Sequence, residues 1–183
     1  MVVKVIHRKE TIESSENWVL INGSDVKSTK PKIYKVVESM DQQLVANLHY
    51  EFEIIKLLRS QFTLTPEKII LEDMKHLLVF EYEEMISLNK CFMKPLPIFI
   101  FLKIAIEMTN AFIDMQYSSV IYRNVHRRNF LINEKTYEVK IINFEHAYKL
   151  FRETSMNQQI KYIDTDRLSY YAPEETGRHF DVK

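Results

Sequence analysis

The chain has 183 residues, 46% of them hydrophobic, and its 25 basic side chains balance 25 acidic ones. That length and apolar content allow a real buried core, exclude a disordered chain, and suit one domain or two small lobes. Charge balance leaves no net field to attract nucleic acid or an anionic membrane, and the single cysteine, Cys91, excludes an internal disulfide and fits a reducing compartment.

The N-terminal run Met1 to Glu10 is too short in apolar residues for a signal peptide. Residues 17–22 and 32–37 are β-branched and aromatic, and the polar stretch from Gly23 to Pro31 separates them, so they read as paired strands. From Asp41 to Ser60, Leu44, Leu48, Phe52, Ile55 and Leu57 or Leu58 recur at the spacing of an amphipathic helix. A second strand pair falls at Lys68–Glu72 and His76–Tyr82. Trp18, the only tryptophan, is expected to pack in the core or at the edge of the first strand.

Pro95 and Pro97 mark a boundary, which divides the chain into 1–94 and 95–183. Ile98 to Tyr117 is apolar on nearly every side, with Phe101, Ala105, Met108, Phe112 and Met115 in one stripe, and such a helix is expected to be buried. Its most apolar part, Leu96 to Ala105, is interrupted by Lys103 and falls short of the roughly 18 residues of a membrane span. Phe130–Asn133 and Glu138–Ile142 flank a polar turn and read as a hairpin. From Glu145 to Tyr170 the pattern is aperiodic and reads as a loop. A cytoplasmic chain is expected, with no membrane segment. His7, His49, His76, His146 and His179 lack metal-ligand spacing, so no metal site is expected from them.

Three motifs carry the chemistry: Tyr122-Arg123-Asn124 with Asn129, Asn143-Phe144-Glu145, and Ala172-Pro173-Glu174. In this order they resemble the catalytic loop, metal loop and activation-segment end of protein kinases. The resemblance spans roughly residues 17–180 and implies an α+β, two-lobed kinase-like fold. Residues 1–94 would form a small lobe of a five-stranded sheet plus one helix, and 95–183 a partial, C-terminally truncated helical large lobe. It also implies that Lys35 and Glu51, with Glu53 as the fallback partner, hold nucleotide phosphates. Glu81, Tyr82 and Glu83 fall at the adenine-receiving hinge, and Asn143 and Asn129 at the metal.

The departures point the other way. Asn124 stands where the family has an aspartate that accepts the substrate proton, and Asn143 where an aspartate holds magnesium. An amide has no basicity near neutral pH, and a hard cation wants charged oxygens. Only Gly23 and Gly177 occur, so a glycine-rich phosphate loop is excluded. ATP and magnesium binding are therefore expected to be weak, and the leading reading is a pseudokinase. Phe130-Leu131-Ile132-Asn133 and the run from Tyr171 to Arg178 are also similar to the kinase-like domain at the N-terminus of hybrid sensor histidine kinases of fungi and bacteria. This narrower resemblance implies a regulatory or sensory module in a phosphorelay or kinase pathway, whose partner is another protein or the rest of a longer signalling polypeptide, with nucleotide as a further candidate ligand. Two alternatives stay open: a divergent active ATP-dependent serine/threonine kinase in which Glu145 replaces a lost acid, and a degenerate scaffold. His126, Arg127 and Arg128 form a basic cluster suited to phosphate or an acidic segment, or to plain solvation.

Overall fold

The structure is a computed structural model that describes residues 10–24, 30–37, 41–91 and 95–150. Ala172, Pro173, Glu174 and most of the expected loop after Glu145 lie outside the described residues.

Five antiparallel strands, β1 (Glu10–Ser14), β2 (Val19–Ser24), β3 (Pro31–Val37), β4 (Pro66–Glu72) and β5 (Lys75–Glu81), form one sheet in the order β1-β2-β3-β5-β4. Side-chain alternation sends Leu20, Ile33, Leu78 and Phe80 to the face that carries the main core. Ile21, Tyr34, Val36, Leu77 and Val79 make a second apolar cluster on the other face. Between β4 and β5, Asp73 and Met74 both have positive φ, 46° and 62°. That is the mirror-image turn whose twist matches a hairpin. β1 is a strand the sequence pattern does not announce, since Ile12 is its one buried residue.

Helix α1 (Gln42–Leu58) starts where the Asp41 carboxylate accepts the Gln43 N–H at 2.7 Å and stops at Arg59, left-handed at φ 47°. It buries Leu48, Ile54, Ile55 and Leu58 against the sheet, and Glu51 with them.

The second lobe opens with β6 (Ile86–Ser87), the short α2 (Leu88–Cys91) and the long α3 (Ile98–Tyr117). Strands β7 (Val120–Ile121), β8 (Phe130–Ile132), β9 (Val139–Ile141) and β10 (Tyr148–Lys149) complete it, pairing as β6-β8-β9 and β10-β7. β10 shows that residues 148–149 of the expected loop are paired backbone. The lobes join where the Ile141 N–H donates to the Phe62 carbonyl at 2.7 Å. One core cluster runs through both lobes, from Ile12 to Ala147. The architecture is α+β, as the sequence implies, and no described helix is long and apolar enough to cross a membrane.

Helix α3 corrects the sequence reading. Only Ile104, Ala111 and Met115 are buried on it, and Phe101 of the expected stripe is 47% exposed. Its packed face sits on β7 and β9, and that contact covers only one side of the cylinder.

Because Leu78 is fully buried in the central strand β5 and Leu71 is 67% exposed on the edge strand β4, truncating each to alanine separates core from surface. Leu78→Ala should cost about 2–5 kcal/mol in urea unfolding, and Leu71→Ala no more than about 0.5 kcal/mol.

Candidate functional site

The site forms where β3, α1, the 122–129 loop and the end of β9 meet. Lys35 shares its face of β3 with Ile33 and Val37, so its stem enters the core. Its ammonium is paired with the Glu51 carboxylate, and both side chains are almost wholly buried. It also donates to Asn143 Oδ1 at 2.6 Å. A buried ammonium persists only when its protons are satisfied. Glu51 then uses its other oxygen to accept the Asn143 backbone N–H at 3.0 Å. Burial pushes the Glu51 carboxyl up, Lys35 pulls it back, and the neighbouring Glu145 carboxylate adds to the rise.

Asn143 sits at φ 68°, a left-handed conformation that asparagine tolerates better than most residues. Beneath it, three buried asparagines are knitted together. Asn124 Nδ2 donates to the Asn143 carbonyl at 3.0 Å, Asn129 Nδ2 donates to the Asn124 carbonyl at 2.8 Å, and Asn143 Nδ2 lies 3.4 Å from Asn129 Oδ1. The Tyr122 hydroxyl donates to the Ile142 carbonyl at 2.5 Å, and its ring meets Phe144 edge-on. The structure therefore brings Lys35, Glu51, Asn124, Asn129 and Asn143 into one hydrogen-bonded set.

Arg123, also left-handed at φ 57°, lies at the margin with Tyr50 and Tyr148. The Tyr50 hydroxyl donates to the Ala147 carbonyl at 2.8 Å. Burial raises the Tyr50 phenol, Tyr148 adds to the rise and Arg123 opposes it. In the basic cluster, Arg128 turns inward on its own loop, donating from its backbone N–H and from Nε to His126 Nδ1 at 3.1 and 3.2 Å. The hinge residues Glu81 and Tyr82 are exposed, away from the buried set, and the Glu81 N–H donates to the Thr65 carbonyl at 2.9 Å. Glu83 pairs with Lys140 at 3.0 Å. Glu53, the fallback partner, is exposed, which leaves Glu51 to Lys35.

Two parts of the site escaped the sequence reading. Between β1 and β2 the chain turns in four residues, closed by the Ser15 N–H to the Trp18 carbonyl at 2.8 Å. Trp18 is buried, and the Lys35 ammonium lies 5.2 Å from its ring centroid. This cation–π contact gives the ammonium a further partner beside Glu51 and Asn143. A cavity of only about 10 Å³ remains beside it, walled by Trp18, Lys35, Leu48 and Glu145. At the other end, the Glu13 carboxylate accepts from the Ser87 hydroxyl and from Asn89 Nδ2, the latter at 3.0 Å. Lys90 Nζ adds a bond to the Thr11 carbonyl at 2.9 Å. Strand β1 is thereby latched to β6 and α2 across the space between the lobes.

A magnesium ion fits this donor set poorly. Asn143 and Asn129 offer neutral oxygens, and the one at Asn143 is engaged by Lys35, whereas a hard divalent cation takes carboxylates. Among the described residues, no three metal-ligating His, Cys, Asp or Glu side chains converge.

A lysine of a five-stranded sheet paired with a glutamate of the one helix behind it, above a loop joined to the next hairpin, defines the scaffold of a phosphotransferase. The family model for protein tyrosine and serine/threonine kinase matches residues 17–180, and the chain belongs to that family. No curated protein matches the chain.

The buried pair sets a pH dependence. The folded-state Glu51 carboxyl lies above the 4.5 of an ordinary glutamate, so the folded protein holds that proton more tightly and stability falls as pH climbs through the raised value. Lys35→Met removes the cation that opposes the rise. It should cost about 3–5 kcal/mol at neutral pH and carry the fall to higher pH, while Lys35→Met with Glu51→Leu should recover most of the loss. Urea melts across a pH series measure both.

Proposed function

We propose that the domain is a kinase-like module that works by binding, without phosphate transfer, as a regulatory or sensory part of a phosphorelay or kinase signalling pathway. The observation that carries this reading is the Lys35 to Asn143 contact at 2.6 Å. A carboxylate at 143 would put two anions on one ammonium and call for a divalent cation to balance them. The amide leaves Lys35 and Glu51 as a neutral pair that needs none. Asn124 supports the same reading, because it has no basicity for a substrate hydroxyl and its amide is spent on the Asn143 carbonyl. Trp18 over Lys35 gives the ammonium a further partner that is not a phosphate, which favours the same reading. The pathway assignment rests on the resemblance at 130–133 and 171–178, and the proposed partner is another protein or the rest of a longer signalling polypeptide.

The rival reading is an active kinase with Glu145 as the replacement acid. Glu145 does line the same small cavity as Trp18 and Lys35, but its Oε1 also lies 3.4 Å from His146 Nε2.

Thermal melting with ATP, with and without magnesium, separates the readings. The protein should show no stabilisation in either condition, and Trp18→Ala should gain a metal-independent one. Magnesium-dependent stabilisation of the wild type, accompanied by phosphate transfer that Lys35→Met abolishes, would establish the enzyme instead.

A further inference from the structure

Strand β1 is aimed by a fault in its pairing. Among the described strands it is an edge, paired with β2 alone, and its register slips between Thr11 and Glu13. The bulge leaves Ile12 unpaired and sets Glu13 opposite Leu20, a residue of the main core, so Ile12 and Glu13 face the same side of the sheet. Without the extra residue the two would alternate, and the Glu13 carboxylate would point away from the second lobe. As built, its Oε2 accepts from the buried Ser87 hydroxyl and from Asn89 Nδ2, and its Oε1 accepts the Ser14 N–H at 3.1 Å. Ser87 is itself held in place, because its Oγ accepts the Asn89 N–H at 3.2 Å. Hydrogen bonds to a carboxylate belong to the stronger class.

We propose that the β1–β2 hairpin is a releasable strap over the Lys35 ammonium, held shut by Glu13. The same end of the hairpin carries Trp18, so the strap is fastened at two points: Trp18 on Lys35 within the small lobe, and Glu13 on β6 and α2 of the second. The bonds from Ile141 to Phe62, Asn143 to Glu51 and Tyr50 to Ala147 join the lobes through α1 and the segment after it. The strap can therefore lift while these stay made. Burial of the Trp18 ring and the Glu13 bonds hold it down, and two features oppose them. Trp18 Nε1 is buried with no hydrogen-bond partner, and a buried unpaired N–H regains a bond to water once exposed. Strand β1 adds little apolar burial of its own, since Ile12 is its one buried residue. A small segment poised between such terms opens locally while the rest of the domain stays folded. Release bares the Lys35 ammonium, and Glu13 is the positioning residue that controls it.

Trp18 is the only tryptophan, so the fluorescence of the full chain reads the strap directly. Wild-type emission should resist quenching by acrylamide. Glu13→Ala should raise the quenching constant several-fold and shift the emission to longer wavelength, while urea unfolding followed by circular dichroism stays cooperative. Ser87→Ala with Asn89→Ala cuts the latch from the second lobe and should give the same rise, and the triple variant should add nothing further, because all three residues serve one contact. A Trp18 as well protected in Glu13→Ala as in the wild type overturns the proposal, whether or not stability falls. A freely quenched wild type overturns it too, as does a further rise in the triple variant. Should Glu13→Ala fail to fold, Asn89→Ala alone, which removes one bond and leaves Ser87 in place, decides by the same criterion. These readouts depend neither on phosphate transfer nor on the signalling role proposed above.

Discussion

The buried contact among Lys35, Glu51 and Asn143 is the constraint on which the rest of the domain depends. Removing an ammonium and a carboxylate from water costs several kcal/mol for each ion, so both must be bound from several sides or the interior would not keep them. Lys35 has Glu51, the Asn143 oxygen and the Trp18 ring; Glu51 has Lys35 and the Asn143 N–H. Those partners come from the β1–β2 turn, β3, α1 and the segment just after β9, so one charge pair ties together four separate pieces of chain. The same set is electrically closed. A single cation faces a single anion, and the amide at 143 adds a dipole and no charge.

The asparagines extend that closure into the loop. Where an acidic residue at 124 would keep water or a cation nearby, the Asn124 side chain donates to the Asn143 backbone carbonyl while the Asn124 backbone carbonyl accepts from the Asn129 side chain. Side chain and backbone exchanged between loop residues in this way hold a loop rigidly. The cost appears in the backbone. Arg123 and Asn143 are both left-handed, as are Arg59, Asp73, Met74, Ser119 and Tyr137, and none is a glycine. A chain with two glycines in its length has to bear these conformations with side chains attached, at about 1–2 kcal/mol where the residue is not asparagine or aspartate. Such positions survive because surrounding contacts overdetermine them.

Legibility in the sequence followed the nature of each signal. Strands β2 to β5, helix α1 and the β8–β9 hairpin declared themselves because period and burial agree there: Leu48, Ile55 and Leu58 repeat at helical spacing and are buried. Lys35 and Glu51 were readable as partners from motif order, and Asn124 and Asn143 from residue type alone. Strand β1 was hidden, since Glu10-Thr-Ile-Glu-Ser offers one apolar residue and a register shift between Thr11 and Glu13. Glu13, Ser87 and Asn89 were hidden for a related reason: polar residues 74 and 76 positions apart look like solvated surface until the fold closes them on each other. Trp18 was expected in packing and is buried, but its place over an ammonium depends on a turn too short to hold a phosphate loop.

Helix α3 gave the opposite kind of error, an apolar period that promised burial on all sides while β7 and β9 cover one. A row of rings connects its packed side to the asparagine set. Phe112 on α3 lies 6.4 Å from the Tyr122 ring, which lies 5.1 Å from Phe144, the residue after Asn143. Tyr122 is further tied to the Ile142 carbonyl. Packed rings of this kind carry energy between sites only where they have two discrete arrangements. The Phe112–Tyr122 contact is tilted at 54°, and Phe112 is half-buried whereas Tyr122 and Phe144 are buried in the core. The row therefore packs α3 against the residue that follows Asn143.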